Sequence, residues 1–329
     1  MSTSSSGLLG STDPALQASV NRGLERVEER LRDVVRSSHP LLTEAAAHLV
    51  EAGGKRFRPL LALLASEFGG GALPAVVDAA VVVELTHLAT LYHDDVMDEA
   101  PVRRGAASAN TRWTNTVAIL TGDYLFARAS DLTAGLGTEA THLQSRTFAR
   151  LVEGQIAETA GPSADEDPVV HHLQVLADKT GSLISTSARL GALMAGADRA
   201  VVDTLAEFGE VIGIAFQLSD DLIDVLSETG ESGKTPGTDL REGIATLPVL
   251  LVRAGADPAL RELLEGDLSS DAALAEALRR LRAHPAMAEA RERLQDYVDR
   301  AREIATSLPG GPARDALVAL TDFVLARTG

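Results

Sequence analysis

An acidic triplet at the end of an apolar run constrains this sequence more than any other feature. Asp94, Asp95 and Asp98 follow the mostly apolar stretch from Ala79 to Leu91. Residues four apart share one face of an α-helix, so Asp94 and Asp98 project together, and Asp95, about 100° around the axis, lies within reach. Three such carboxylates need a partner charge to stay ionised. Because magnesium binds a few carboxylates together with substrate phosphates, the triplet predicts a magnesium clamp for a phosphorylated substrate.

A second triplet repeats the spacing. Asp220, Asp221 and Asp224 follow another apolar run, Val211 to Leu218. A single triplet of this kind is also what a solvated acidic helix end would show, and such short patterns arise by chance. Two copies, each ending an apolar helix, favour a different interpretation, in which they form two walls of one site.

The composition favours an all-α fold, a single large helical bundle around a central apolar cavity. Apolar residues make up 45% of the 329 residues and aromatic residues only 3%, and the bulk is Ala, Leu and Val, of which Ala and Leu are strong helix formers. We expect residues 14–329 to form one helical domain. Residues 1–13, rich in Ser, Thr and Gly, are expected to be disordered and resemble no signal peptide.

Charge and cysteine content exclude several classes of partner. The net charge of −17 argues against nucleic acid. The absence of Cys excludes disulfides and thiolate-bound metal, and fits a cytoplasmic location. No run of 18 apolar residues occurs, so no membrane-spanning helix is expected.

Apolar periodicity and helix-breaking residues predict a succession of helices, with a glycine-rich polar flap over Ser227–Asp239. No strand of any length is expected. The predicted helices cover Ala15–Ser38, Leu41–Glu51, Leu60–Phe68, Pro74–Asp98, Thr111–Ala134, Thr141–Ala160, His171–Ala195 and Ala200–Leu226, with further helices from Pro258 onward.

Basic residues lie near both triplets in sequence. Lys55 and Arg58 follow a glycine pair and precede a helix expected to start at Pro59, which suits a phosphate grip, although a solvated basic loop would look the same. Arg103 and Arg104 come just after the first triplet, either to bind phosphate oxygens or to balance nearby acids.

Two further polar residues stand out in apolar helices. His87 lies seven residues before Asp94 on the same face, so it is either a core histidine or a diphosphate contact. Lys179 sits in a helix of small and apolar residues, where a lysine either extends to solvent or binds phosphate in a carboxylate-lined cavity.

With these residues in view, the chain resembles the trans-isoprenyl diphosphate synthases, also called polyprenyl synthetases. The resemblance spans residues 50–250, with matching helical character beyond, and its motifs occur in the family's order. They are Gly54 to Pro59, Asp94 to Asp98 followed by Arg103 to Gly105, Lys179 and Thr180, Phe216 and Gln217 with Asp220 to Asp224, and Gly233 and Lys234.

The resemblance implies a role for each matching residue. It implies condensation of isopentenyl diphosphate with an allylic diphosphate, three magnesium ions, a homodimer, and Asp94, Asp95, Asp98, Arg103, Lys179 and Asp220 as the catalytic groups. The metal ligands would be Asp94, Asp98 and Asp220, with Asp95, Asp221 and Asp224 completing the two carboxylate shells. The allylic diphosphate would be held by Arg103, Lys179, Thr180, Gln217 and Lys234, and isopentenyl diphosphate by Lys55, Arg58, His87 and Arg104.

One position departs from the family pattern. The family often has a lysine directly after a Glu-Gly pair beyond the flap, and here Glu242 and Gly243 are followed by Ile244. A lysine contact with substrate is therefore absent at this point. Either the nearby Arg241 supplies that contact, or the contact is missing.

Small residues upstream of the first triplet predict a long product of thirty carbons or more. Short-chain members of the family place a large aromatic residue four or five positions before the first aspartate, where this chain has Thr90 and Ala89. Thr86 and Val82 lie at deeper turns, each about 5.4 Å further along the helix. The alternative function is that of a geranylgeranyl or farnesyl diphosphate synthase. The alternative reason for a small residue at position 89 is that a neighbouring helix packs closely against Ala89.

Three rival functions are weaker. A class I terpene cyclase needs no second diphosphate site, usually has a mixed second motif, and relies on aromatic residues that are scarce here. A non-catalytic partner subunit generally loses one aspartate cluster, and this chain keeps both. A helical scaffold protein leaves the ordered basic motifs unexplained.

Overall fold

The computed structural model describes residues 13–227 and 236–328. They form a helical bundle, which confirms the all-α prediction. The helices are α1 (Pro14–Val34), α2 (Pro40–Glu51), α3 (Phe57–Ser66), α4 (Pro74–Met97), α5 (Ala109–Arg112), α6 (Asn115–Leu136), α7 (Thr138–Ala160), α8 (Pro168–Leu176), α9 (Ser182–Met194), α10 (Arg199–Leu226), α11 (Thr238–Arg241), α12 (Leu247–Ala254), α13 (Pro258–Glu265), α14 (Asp271–Arg282), α15 (Ala286–Ser307) and α16 (Pro312–Ala326).

Helix α4 lies at the centre of the bundle. Its residues are apolar on all sides, and it packs against α1, α3, α6 and α9. A helix that is apolar all round belongs in a core. By length and composition it is also the one described helix that could cross a membrane, but most of it is buried inside the protein. The sequence analysis expected no segment of this kind, whereas α4 has the required length and apolar composition and lies mostly inside the bundle.

Two predicted helices are interrupted in the structure. The segment expected as one helix over Thr111–Ala134 divides at Trp113, after which Thr114 caps α6 by accepting a hydrogen bond from the Val117 amide at 3.2 Å. The segment expected over His171–Ala195 contains a π-helical turn, Ala177–Gly181, between α8 and α9. Such turns are frequent at functional sites, where the widened backbone redirects side chains.

The expectation of no strand was wrong at one place. Two two-residue strands, Val102–Arg103 and Ala106–Ala107, pair antiparallel. The turn between them consists of Arg104 and Gly105, which both have positive φ, 53° and 76°. Two successive left-handed residues are what a tight hairpin turn requires. The strands are too short to leave an alternating pattern in the sequence.

The described part of the chain begins with a helix cap. The Asp13 side chain accepts a hydrogen bond from the Leu16 amide at 2.8 Å and so caps the start of α1. The rest of the N-terminal prediction lies outside the described residues, as does Lys234 in the flap.

Close approach of α3 and α9 depends on a glycine. A Cβ atom at Gly191 would lie 2.0 Å from the Ala62 carbonyl oxygen, far inside van der Waals contact. Backbone atoms would have to move to admit it, since no flexible side chain is involved. Both helices contribute to the lining of the cavity described below, with Phe57 and Arg58 on α3 and Ile184 on α9.

We predict that Gly191→Ala lowers the free energy of unfolding by about 2 kcal/mol or more, because overpacking a close backbone contact is destabilising. Gly135→Ala in α6 is the matched control, since nothing lies within 4 Å of its Cβ position; the same change there should be neutral or stabilising by about 0.5–1 kcal/mol. Denaturant unfolding of both variants measures this. Equal effects would contradict the close α3–α9 packing.

Candidate active site

The first aspartate triplet divides its side chains between a cavity and the protein interior. Asp94, half-buried at the end of α4, lines the cavity. Asp95 is fully buried; it accepts hydrogen bonds from Arg103 Nε at 2.6 Å and the Ala109 amide at 3.3 Å. Asp98 is exposed, 3.6 Å from Arg103 Nη2. Arg103 therefore ties the hairpin to the triplet, and Asp95 anchors the segment that follows.

The second triplet shows the same division. On α10, Asp220 and Asp224 line the cavity, whereas Asp221 is buried. The Asp221 carboxylate lies 3.1 Å from His172 Nε2 and accepts a hydrogen bond from Gln217 Nε2 at 3.4 Å. Asp224 accepts hydrogen bonds from the backbone amides of Thr238 and Asp239 at 3.1 and 3.2 Å, so it holds the start of α11.

Both triplets face one large cavity of 880 Å³. Asp94 reaches it from α4, and Asp220 and Asp224 reach it from α10. The interpretation of two acidic walls around one site therefore matches the geometry for these three carboxylates. The cationic residues that the structure brings to the same cavity are Lys55, Arg56, Arg58, Arg104, Lys179 and Arg327.

Burial changes the protonation of groups in this cavity. Desolvation raises the pKa of Asp94 to about 6; Lys179 opposes this shift, and Asp98 adds to it. Desolvation, together with the neighbouring Arg58 and Arg104, holds the pKa of His87 well below its ordinary value, so its imidazole is neutral at pH 7. His87 is thus suited to donate or accept a hydrogen bond and not to supply charge.

The arginines of the predicted phosphate grip are organised by a buried carboxylate that the sequence analysis missed. Glu84, 2% exposed, accepts a hydrogen bond from Arg56 Nη1 at 2.8 Å and lies 3.7 Å from Arg104 Nη2. Arg56 also binds Glu28. Burial lowers the pKa of Arg58 to about 10, Glu84 raises it and Arg104 lowers it further. Glu84 therefore lets several cations lie close together.

Lys179 and Thr180 project from the π-helical turn. Lys179 Nζ pairs with Glu158 of α7, and Thr180 Oγ1 donates to Gln217 Oε1 at 3.3 Å. The α7 backbone approaches closely at Gly154, where a Cβ atom would lie 3.0 Å from Lys179 Cγ. Lys179, Thr180 and Gln217, expected to share one substrate, line the cavity together.

Two further positions are those of the predicted flap lysine and of the family's missing lysine. Lys234 lies outside the described residues. Arg241, the candidate replacement for the family's lysine, donates to Asp271 at 2.6 Å on an exposed surface and is absent from the cavity lining. Ile244 is also exposed, at 42%. In this arrangement neither residue supplies the missing contact.

The residues proposed to gauge product length occupy different environments. Thr90 lines both the large cavity and an adjoining one of 130 Å³. Ala89, Thr86 and Val82 are fully buried, and Thr86 accepts a hydrogen bond from Gln144 Nε2 at 2.6 Å. A Cβ atom at Gly122 would lie 3.1 Å from the Ala89 carbonyl oxygen. The α6 backbone therefore packs closely against α4 near Ala89.

The smaller cavity is mostly apolar and lies between α4, α6 and α7. Phe126 and Phe148, with ring centroids 4.1 Å apart, form part of its wall. Met97 and Val152, both exposed, also line it, so it reaches the protein surface.

The protein side chains alone supply only some of the ligands that a divalent metal would need at this site. Among the described residues, no group of three or more acidic or histidine side chains is arranged to hold a metal ion. Asp94, Asp220 and Asp224 nevertheless present oxygen atoms to one cavity, which suits a hard cation that takes its remaining ligands from phosphate and water. Asp95 and Asp221 are bound to protein groups, and Asp98 lies outside the cavity lining.

Several known proteins are similar to this chain in sequence and in fold. The family model described as polyprenyl synthetase matches residues 39–282. A nonaprenyl diphosphate synthase of Mycobacterium tuberculosis is 49% identical over 96% of each chain. Geranylgeranyl pyrophosphate synthase from Corynebacterium glutamicum, solved with calcium and isoprenyl diphosphate, has a TM-score of 0.88 and 45% identity, covering 97% of this chain and 99% of that one. A decaprenyl diphosphate synthase from Rhodobacter capsulatus has a TM-score of 0.87 and 34% identity, covering 96% and 99%.

The chain therefore belongs to the polyprenyl synthetase family, and the resemblance found in its sequence is confirmed. It is a prenyltransferase, built as an all-α bundle around a charged cavity.

We predict that Glu84→Ala lowers the free energy of unfolding by about 3 kcal/mol or more, because removing one partner leaves a buried charge uncompensated. The control is Glu44→Ala, which breaks an exposed pair with Arg112 at 2.7 Å and should change it by less than about 1 kcal/mol. Urea titration measures both. If the two losses are equal, Glu84 does not organise the arginines.

We predict that Asp94→Asn stabilises the metal-free protein at pH 7–8. The pKa of Asp94 is about 6 when folded, against 3.8 for the ordinary carboxyl, so the folded state binds its proton more tightly. The resulting stability is fully present below pH 4 and is lost as pH rises through 6. The advantage of Asn should therefore appear above pH 6, at most about 3 kcal/mol and less with solvent screening.

Thermal unfolding in a chelator at pH 4 and pH 8 tests this. Asp165→Asn, an exposed loop change, controls for net charge. An advantage of Asp94→Asn that is the same at both pH values would rule out burial of an ionised Asp94 as its cause.

Proposed function

We propose that this protein is a magnesium-dependent polyprenyl diphosphate synthase, which condenses isopentenyl diphosphate with an allylic diphosphate to give an all-trans product of thirty carbons or more. One observation carries the proposal: a single cavity is lined by carboxylates from α4 and α10 and by several cations, and a smaller, mostly apolar cavity adjoins it beside Asp94. Two diphosphates and a growing hydrocarbon chain need these three surfaces together.

The cations divide between the two substrates. Lys55, Arg58 and Arg104 lie beside His87 and would bind the diphosphate of isopentenyl diphosphate, with Arg58 and Arg104 offering guanidinium groups that match phosphate oxygens. The allylic diphosphate would lie between the two aspartate triplets. Its contacts would be Arg103, Lys179, Thr180 and Gln217, with Lys234 assigned from the resemblance alone.

Three bound magnesium ions, held by Asp94, Asp98 and Asp220 together with the allylic diphosphate, would neutralise the charge that develops on this leaving group. Asp95, Asp221 and Asp224 would complete the carboxylate shells. Asp95 also accepts a hydrogen bond from the Ala109 amide, and Asp224 from the Thr238 and Asp239 amides, so the effect of these two residues on the metal would come partly through the backbone that they hold.

The chain's own residues would guide the rest of the reaction. The allylic carbon–oxygen bond breaks, and the resulting cation is attacked by the double bond of isopentenyl diphosphate, which Lys55 and Arg58 hold by its other end. A proton is then lost, with the departed diphosphate as acceptor. The apolar side chains next to Thr90 would limit the number of water molecules near the cation, and the cavity that they line would receive the growing chain.

A long product is supported by the small side chain at Thr90 and by the 49% identical nonaprenyl diphosphate synthase. The cavity beyond Thr90 reaches the surface at Met97 and Val152, and Ile156, exposed at 64%, lies one helical turn beyond Val152. A chain longer than the cavity could therefore continue along this apolar strip. The alternative is a geranylgeranyl product, as named for the Corynebacterium glutamicum structure.

We further propose a homodimer, a single domain over residues 14–329 and a cytoplasmic location. Ile119 and Leu120 on α6, exposed at 43% and 58%, are apolar residues that a second copy could cover. One buried apolar cluster has members from α1 through α16, which supports a single domain. Burial of α4 in that core supports a location outside the membrane.

The experiment is incubation of the enzyme with an allylic diphosphate, labelled isopentenyl diphosphate and magnesium, followed by extraction. We predict label in the organic phase, with turnover falling by orders of magnitude in Asp94→Ala and in Asp220→Ala because the leaving-group charge loses its counter-ions. Asp165→Ala, in an exposed loop, should be unaffected. Wild-type turnover in either active-site variant would contradict the two-wall site.

We predict that Thr90→Phe shortens the product while condensation persists, because a phenyl ring at position 90 would fill much of the 130 Å³ cavity. Chromatography of the dephosphorylated products measures chain length. Thr90→Val, which keeps the size of the side chain, is the control. If Thr90→Phe makes products of wild-type length, the chain does not grow past this residue.

A further inference from the structure

The C-terminal helix supplies a cation to the active site that no sequence motif indicated. Arg327 follows the last residue of α16, and its side chain is 15% exposed. Its Nη2 donates a hydrogen bond to Asp220 Oδ1, and its guanidinium carbon lies 4.4 Å from the centre of the Phe216 ring. Phe216 in turn stacks on Phe57 at 5.2 Å. Arg327 therefore lines the cavity on an aromatic support.

The position of Arg327 is fixed by the packing of its helix. α16 packs against α15, α10 and α3, and Ser219 Oγ donates to the Val324 carbonyl oxygen at 3.2 Å. Ser219 is fully buried and directly precedes Asp220. The end of α16 is thus hydrogen-bonded to the helix that carries the second triplet, next to the carboxylate that Arg327 binds.

The three carboxylates of the second triplet differ in what neutralises them. Asp221 lies against His172 and Gln217, and Asp224 accepts from two backbone amides. For Asp220, the ion pair within the described residues is the one with Arg327. A guanidinium directly on a carboxylate satisfies an oxygen that a divalent ion would also need.

The Arg327 guanidinium is only partly satisfied. Its Nη1 is buried and has no hydrogen-bond partner among the described residues. A buried donor left without a partner is costly, so such a group has a strong tendency to bind an acceptor when one enters. Release of the guanidinium from Asp220 would let it turn and present this donor to a diphosphate oxygen in the cavity.

We propose that Arg327 is the resident counter-cation of Asp220, which gives up this carboxylate when a divalent metal binds. The inference rests on the proposed function, in which Asp220 is a metal ligand. Before metal binds, Arg327 pairs with Asp220 and fixes the orientation of its side chain. When metal takes Asp220 Oδ1, the guanidinium remains on Phe216 with donors directed to the cavity. Arg327 is therefore a positioning residue that makes metal binding by the empty enzyme weak and favours loading together with substrate.

Competition between Arg327 and magnesium for Asp220 predicts the direction of two changes, one in stability and one in magnesium affinity. Removing the guanidinium leaves the Asp220 carboxylate without its counter-charge, so the metal-free protein becomes less stable. The same change removes the competitor, so magnesium binds the substrate-free protein more tightly. Because a ligand stabilises by an amount that grows with its concentration relative to its dissociation constant, thermal unfolding reports this affinity.

The test is the melting temperature of the substrate-free full-length protein over a range of magnesium chloride concentrations at constant ionic strength. For Arg327→Gln we expect a lower melting temperature in chelator and a half-saturating magnesium concentration at least threefold lower than in the wild type. Arg327→Lys, which keeps the charge, should restore wild-type behaviour in part. Arg314→Gln, which removes another arginine of α16 paired with an adjacent acid, should behave as wild type.

Asp220→Asn separates the two proposals. Loss of the magnesium response in this variant supports Asp220 as a ligand. If Arg327→Gln then shows an unchanged or higher half-saturating concentration, the exchange is wrong while the metal site stands. If Asp220→Asn keeps the full response, Asp220 is not a ligand, and both the metal assignment and the exchange fall.

Discussion

Side chains of like charge lie close together around the cavity, and the site depends on the oppositely charged residues that are paired with them. Glu84 lies among the arginines at 2.8 Å from Arg56, and Arg103 lies 2.6 Å from Asp95. Each counter-charge is itself buried or half-buried and comes from a different helix or hairpin than its partner. Charges paired in this way are strongly coupled, because the low-dielectric surroundings magnify both their attraction and the cost of losing one partner.

The helices that carry the aspartates are long, mostly apolar and closely packed. α4 is buried along most of its length, and α10 reaches close to the π-helical turn, where a Cβ atom at Gly213 would lie 2.8 Å from the Gly181 Cα atom. Small residues at such contacts let the two backbones approach closely, and no space remains for a larger side chain. Asp94 on α4 and Asp220 on α10 line the same cavity, whose volume is available to substrate.

The sequence predicts the parts of this site that follow from local periodicity. Asp94 and Asp220 end apolar helical runs, and both reach the cavity, whereas Asp98, expected to project with Asp94, is absent from the cavity lining. Glu84 and Arg327 were missed, because a buried acid in an apolar helix and an arginine near the end of the chain carry no local pattern. Their partners lie 28 and 107 residues away in sequence, so only the packed structure brings them together. The buried Asp95 shows the same limit, since helical spacing did not reveal its inward direction.

Binding of isopentenyl diphosphate alone, measured by calorimetry in a chelator, tests most directly whether the cationic wall forms a diphosphate site separate from the acidic one. If Arg58 and its neighbours form that site, binding persists without metal, weakens at least tenfold in Arg58→Ala, about 1.4 kcal/mol, and changes less than twofold in Lys179→Ala. Binding that requires magnesium, or that falls equally in both variants, would contradict the division of the cavity between two diphosphates.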